Sequence, residues 1–125
     1  MGEGEITIIE LLEALKGTKS LHQLQGIAFR DNEQIIINER RPLIADIDSI
    51  PFPAYDLFPM NYYRLLRVLY ANNSDFIIPI LSGRGCTFKC NFCYRMDEGF
   101  RPRSNESIIE EIYKLNKDYG ITFIP

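Results

Sequence analysis

Three cysteines lie in one short run, Cys86-Thr87-Phe88-Lys89-Cys90-Asn91-Phe92-Cys93, and the rest of the chain contains none. Any fold this chain adopts must therefore present a single loop that carries every thiol, spaced C-x3-C-x2-C. A disulfide framework spreads an even number of cysteines along the chain, so an odd number crowded into one loop points to a metal site in a reducing compartment. Two metal chemistries compete for it. Zinc asks for four closed ligands, commonly two separated pairs, yet the only histidine, His22, lies more than sixty residues upstream. His22 itself reads as a surface or partly buried turn residue. A [4Fe–4S] cluster usually takes four cysteines; three would leave one iron open to an outside ligand. Gly83 and Gly85, just before the run, allow close backbone approach and positive φ. Between positions 84 and 103, Arg84, Lys89, Arg95, Arg101 and Arg103 outnumber Asp97 and Glu98, although the whole chain carries a net charge of −3. Cationic neighbours favour thiolate over thiol and would suit an anionic cluster. For the arginines beyond position 95, a solvated charged loop explains the pattern equally well.

Composition narrows the setting. At 125 residues, with 46 % hydrophobic and 25 % charged residues, the chain suits one modest globular domain at most. The small negative charge gives no reason to expect nucleic-acid or anionic-membrane binding. No apolar run approaches the roughly 20 residues that span a bilayer. The acidic start, Met-Gly-Glu-Gly-Glu, lacks the order of a secretory signal. The expectation is a soluble, cytoplasmic chain.

Periodicity outlines an α/β chain. Ile8, Leu11, Leu12 and Leu15 recur at helical spacing over residues 6–16, with Gly17 placed as a stop. Residues 26–38 read as a hairpin, with Ile27 and Phe29 on one arm and Ile35 and Ile37 on the other, around a polar Asp31-Asn32-Glu33 turn. Residues 41–59 contain Pro42, Pro51, Pro53 and Pro59, which disfavour regular structure. Their apolar side chains, Leu43 through Phe58, predict a connector ordered by packing. Residues 61–70 are ambiguous between short helix and strand, and Asn72-Asn73-Ser74 is a turn. An apolar strand is expected over 76–81, with Pro79 an awkward member, and the cysteine loop follows. A helix over 105–118 is capped by Ser104 and stopped by Gly120. Ile108, Ile112, Leu115 and Tyr119 form its apolar face, and Glu110 is spaced to pair with Lys114. A strand over 121–124 would complete one βαβ unit.

The run Arg84-Gly85-Cys86-Thr87-Phe88-Lys89-Cys90-Asn91-Phe92-Cys93 resembles the signature of the radical S-adenosylmethionine (SAM) superfamily. Gly99-Phe100-Arg101-Pro102-Arg103-Ser104 and the helix after it are similar to its cobalamin-dependent branch. That branch includes anaerobic magnesium-protoporphyrin monomethyl ester cyclase-like proteins and radical methyltransferases. Residues 2–5 resemble the end of the branch's cobalamin-binding domain, and Asp46-Ile47-Asp48-Ser49-Ile50-Pro51-Phe52-Pro53-Ala54-Tyr55-Asp56 its connector into the barrel. The resemblance implies three segments: a tail of a cobalamin-binding-type domain (1–40), a connector (41–75) and the start of a radical SAM (β/α) barrel (76–125). It implies that Cys86, Cys90 and Cys93 hold a [4Fe–4S] cluster whose open iron chelates SAM, that Phe92 lies by the adenine, and that SAM is cleaved to a 5′-deoxyadenosyl radical. No catalytic side chain is assigned. A small-molecule substrate and an electron donor such as flavodoxin or ferredoxin are the implied partners. Departures are equally specific. The cobalamin loop Asp-x-His-x-x-Gly is absent: no Asp stands two positions before His22, and Gly26 falls one residue late. The Gly-Gly-Glu segment that binds the SAM amino group is absent as well. Since two strands cannot close a barrel, the expectation is a fragment inactive in isolation, with a methylthiotransferase-like protein, or a non-catalytic subunit completed by a partner chain, as alternatives.

Overall fold

In the computed structural model, residues 2–94 and 99–125 are described. Arg95, Asp97 and Glu98, counted above in the charge of the cysteine region, lie outside them. The chain divides into two compact units, Met1–Ala45 and Asp46–Pro125, so the segment read as a connector over 41–75 is shared between them. Among the described residues no helix is long and apolar enough to cross a membrane.

The first unit pairs a helix with a hairpin. Helix α1 spans Glu5–Leu15 and stops where expected. Gly17 adopts φ +85°, and its N–H and that of Thr18 return to the carbonyls of Ala14 and Glu13 at 2.9 and 3.3 Å. Its orientation differs from the periodicity argument. Leu11 is half-buried, but Ile8, Leu12 and Leu15 are exposed. The inward edge is instead partly polar, because Arg41 donates to Thr7 Oγ1 at 3.0 Å and pairs with Glu10. Those bonds turn the helix away from its apolar stripe. Strands β1 (Ala28–Asp31) and β2 (Gln34–Ile37) pair antiparallel. Their loop has two residues, Asn32 and Glu33, with Asn32 at φ +51°. Phe29 therefore stands opposite Ile36, and Ile35 and Ile37 face solvent, correcting the expected arm. A one-residue change of turn length exchanges the two faces of a strand. Leu24 is fully buried, and Asn38 Nδ2 holds the turn around it by donating to the carbonyls of Leu21 and Leu24 at 2.7 and 2.6 Å.

The second unit is built around Tyr55, Phe76, Ile78, Leu115 and Ile121. The proline-rich stretch supplies two 3-10 turns, Ile47–Ser49 and Tyr55–Leu57, whose first residues are both buried. A four-residue helix, α2, follows at Met60–Tyr63. The strand expected over 76–81 does not form. Phe76, Ile77 and Ile78 are buried as an inner strand would be, but pairing is limited to one parallel bridge, Ile77 to Phe123. Pro79 offers no N–H to continue it. The regular strands lie later, β3 at Gly83–Cys86 and β4 at Gly99–Pro102, paired antiparallel. Helix α3 spans Asn105–Tyr119. Ser104 Oγ caps it by accepting from Ser107 N at 3.1 Å, and Gly120 ends it at φ +71°. The buried positions of α3 are Glu111 and Leu115. Ile108 and Tyr119 are half-buried beside them, while Ile112 faces outward, so a carboxylate occupies the place expected for an isoleucine. Lys114 forms its ion pair with Asp118, at 2.8 Å.

Candidate metal centre

The cysteine run begins at the last residue of a hairpin strand and continues into the loop that follows it. Cys86 is the last residue of β3 and faces Gly99 in the register; Gly85 faces Phe100, Arg84 faces Arg101, and Gly83 faces Pro102. The two glycines are required by this pairing. At Gly85, φ is +86° and a Cβ would stand 2.2 Å from the Gly99 carbonyl oxygen; at Gly83 it would meet the Arg101 carbonyl and the Phe100 ring, both at 2.7 Å. Their small size thus serves the closeness of two strands. Arg84 and Arg101 place two guanidinium groups in register two residues before Cys86, a sign of charge that suits an anionic cluster.

Cys86, Cys90 and Cys93 are all free and exposed. The last two are joined by a tight turn in which Cys93 N donates to Cys90 O at 3.2 Å. Among the described residues, no group of three His, Cys, Asp or Glu side chains is already gathered for a metal ion. Donor chemistry nevertheless fits an iron–sulfur cluster: three unpaired thiols, reachable from solvent, in a segment short enough to wrap one polynuclear group. Sites of this kind are commonly drawn together by the metal, so that binding energy is also ordering energy. Phe92 is 93 % exposed, and Phe88 and Tyr94 are exposed beside it. The His22 ring meets Phe29 edge-on at 5.0 Å, and its Nε2 lies 3.1 Å from Asp31.

Beneath the hairpin lies a polar cluster that reading the sequence missed. Glu111, 2 % exposed, accepts from Tyr55 Oη at 2.6 Å and pairs with Arg103. Burial, and then the bond to Glu111, push the Tyr55 phenol well above its ordinary value. Asp48 accepts from Ser104 N at 3.0 Å, and hydrogen bonding from Ser104 holds its carboxyl below the usual range. The available signal was Glu111 itself, a carboxylate three residues after Ile108 and four before Leu115, on the apolar stripe.

No family model matches the chain. It is 37 % identical over 123 residues to an uncharacterized methyltransferase of Pyrococcus horikoshii, covering 96 % of this chain and 25 % of that protein. It is 33 % identical over 129 residues to the anaerobic magnesium-protoporphyrin IX monomethyl ester cyclase of Cereibacter sphaeroides, covering 98 % and 20 %. Among solved structures, the cobalamin-dependent SAM radical enzyme OxsB matches with a TM-score of 0.68 at 24 % identity, over 98 % of this chain and 16 % of that one. The fold is therefore mixed α/β, that of one stretch of a radical SAM enzyme. Over nearly its whole length the chain is similar to part of methyltransferase and magnesium-protoporphyrin cyclase proteins, the branch its cysteine run resembles. It spans about a quarter or less of the length of these relatives.

Proposed function

We propose that this chain carries the cluster-binding segment of a cobalamin-type radical SAM protein, in which Cys86, Cys90 and Cys93 hold a [4Fe–4S] cluster. The observation that carries the reading is the hairpin ending in Cys86, with three free, exposed thiols and no disulfide. When bound, the cluster supplies the electron that cleaves SAM to methionine and a 5′-deoxyadenosyl radical. The residues of this chain do the holding. Three thiolates would leave one iron without a protein ligand, as SAM chelation needs. Phe92, whose ring is exposed, would shield the cluster or the adenine from water. Residues 1–40 are read as the tail of a cobalamin-binding-type domain, and residues 76–125 as the start of the barrel. The parent reaction is methyl transfer or oxidative ring closure on a small molecule.

Anaerobic reconstitution with iron and sulfide is the test. The expected product is one oxygen-sensitive [4Fe–4S] cluster per chain by Mössbauer and EPR spectroscopy, lost when all three cysteines are changed to alanine. Only mononuclear iron, together with stoichiometric tight zinc in the purified protein, would overturn the assignment. The 125-residue chain is expected to hold the cluster without sustained formation of 5′-deoxyadenosine. Positioning of the reacting groups supplies much of an enzyme's rate, and the Gly-Gly-Glu segment that fixes the SAM amino group in this branch is not in the sequence.

A further inference from the structure

From the geometry beneath the hairpin, we infer that Arg103, paired with the Glu111 that also accepts from Tyr55, is a positioning residue for the cysteine ligands: it locks the root of the hairpin that carries them. The inference rests on the cluster assignment above for its purpose, but not for its geometry. Arg103 follows β4 directly and precedes the cap of α3. Its backbone N–H donates to Ser82 O at 2.9 Å, and its Nη1 donates to Leu81 O at 2.9 Å. Those two carbonyls belong to the residues that lead into β3 and Cys86. The same guanidinium donates through Nη2 to Ser107 Oγ at 2.9 Å and to Ser107 O at 3.2 Å, and pairs with Glu111. One planar group therefore ties the entry strand of the hairpin to the first turns of α3.

Both Nη nitrogens of the guanidinium donate to acceptors. The two oxygens of Glu111 are divided, Oε1 to Tyr55 and Oε2 to Arg103. The guanidinium also lies 5.4 Å from the Phe52 ring centroid. The Arg103 and Glu111 side chains are 10 % and 3 % exposed, so solvent screens the pair little. A buried ion pair is weak as a source of stability, because desolvation offsets most of the attraction. What a planar five-donor fork supplies is direction. Here four acceptor groups in fixed places (Leu81 O, Ser107 O, Ser107 Oγ and the Glu111 carboxylate) determine where the chain must enter β3. The tip, from Thr87 to Tyr94, is exposed throughout.

The test uses the full chain with Arg103→Lys and, separately, Glu111→Gln. Lysine keeps the charge but has a single nitrogen, which cannot serve both Leu81 O and Ser107. In the metal-free protein, amide exchange at Gly83–Cys86 and at Arg103 is expected to rise at least about tenfold in Arg103→Lys. Exchange in the middle of α3 and in α1 should stay unchanged. After reconstitution, cluster affinity is expected to fall by about tenfold, the low end for groups that orient metal ligands, with shifted EPR g-values. Unchanged exchange at the hairpin in both variants would overturn the inference. So would a uniform rise across α3, which would mark a general stability role, or wild-type affinity and g-values in a variant whose hairpin does loosen. A wild-type chain that takes up no cluster, while Arg103→Lys still loosens the hairpin selectively, would sink the cluster assignment and leave the lock standing.

Discussion

Replacing Gly85 with alanine should open the cysteine hairpin without unfolding the core beneath it. Two separate strains add at this position. An L residue held in left-handed backbone costs roughly 1–2 kcal/mol, and Gly85 sits at φ +86°. The new Cβ would also lie 2.2 Å from the Gly99 carbonyl oxygen and 3.2 Å from its carbon. Those are backbone atoms of the facing strand and cannot rotate aside. Two strands of four residues each form a ribbon that is marginal by itself, so separation is the cheaper response. A strain of about 2 kcal/mol or more shifts the local opening equilibrium by roughly thirtyfold. Amide exchange at Arg101, in the hydrogen-bonded pair with Arg84, should accelerate by that factor, with α3 protection and the thermal midpoint nearly unchanged. Cluster uptake should fall with it. Gly4→Ala is the control: nothing lies within 4 Å of its added Cβ, and the effect should stay within about 0.5 kcal/mol. Native exchange across β3 and β4 in Gly85→Ala, with cluster uptake equal to wild type, would refute the reasoning.

Two further outcomes follow from the same unit. Leu115 is fully buried among Tyr55, Phe76, Ile78 and Ile121, so Leu115→Ala should destabilise by about 2–5 kcal/mol, read as a lower urea midpoint at unchanged slope. The raised phenol of Tyr55 should make stability alkali-sensitive: its contribution is present in full below the ordinary phenol value of about 10 and is lost as pH climbs from there through the raised value. Tyr55→Phe should remove that component of the alkaline decline, and a decline identical to wild type would count against the buried bond.

Much of the second unit was legible because its signals are local. Ser104 and Gly120 bracket α3 through cap chemistry that depends on neighbours within four residues, and both ends fall where expected. In the proline-rich stretch, Ile47 and Tyr55 are apolar residues that open short 3-10 turns and are buried. What failed depended on partners far along the chain. The face of α1 was misread because Arg41, distant in sequence, binds Thr7 and Glu10 and draws the polar edge inward. The hairpin face was misread by a single residue of turn length: taking Asp31 into the turn sets Phe29 against Ile35, whereas leaving it in β1 sets Phe29 against Ile36. Local composition hardly distinguishes the two turns, and only the Asn32 backbone at positive φ decides between them.

The candidate site divides along the same line. Thiol spacing is written within eight consecutive residues, so a candidate ligand set stands out in the sequence, and so does the need for small residues at 83 and 85. The reason for those glycines was not legible, because it lies in Gly99 and Phe100 across the hairpin. Nor was the lock beneath it, whose members come from positions 55, 103 and 111. A carboxylate on the apolar face of a helix is a local contradiction, and such contradictions persist where a specific partner resolves them. Glu111 is resolved by a phenol from the connector and a guanidinium from the end of β4. That guanidinium, Arg103, stands eight residues before Glu111, at the root of the cysteine hairpin. The buried charge that weakens the helix as a simple amphipathic element is thus what joins the connector, the helix and the cysteine-bearing hairpin.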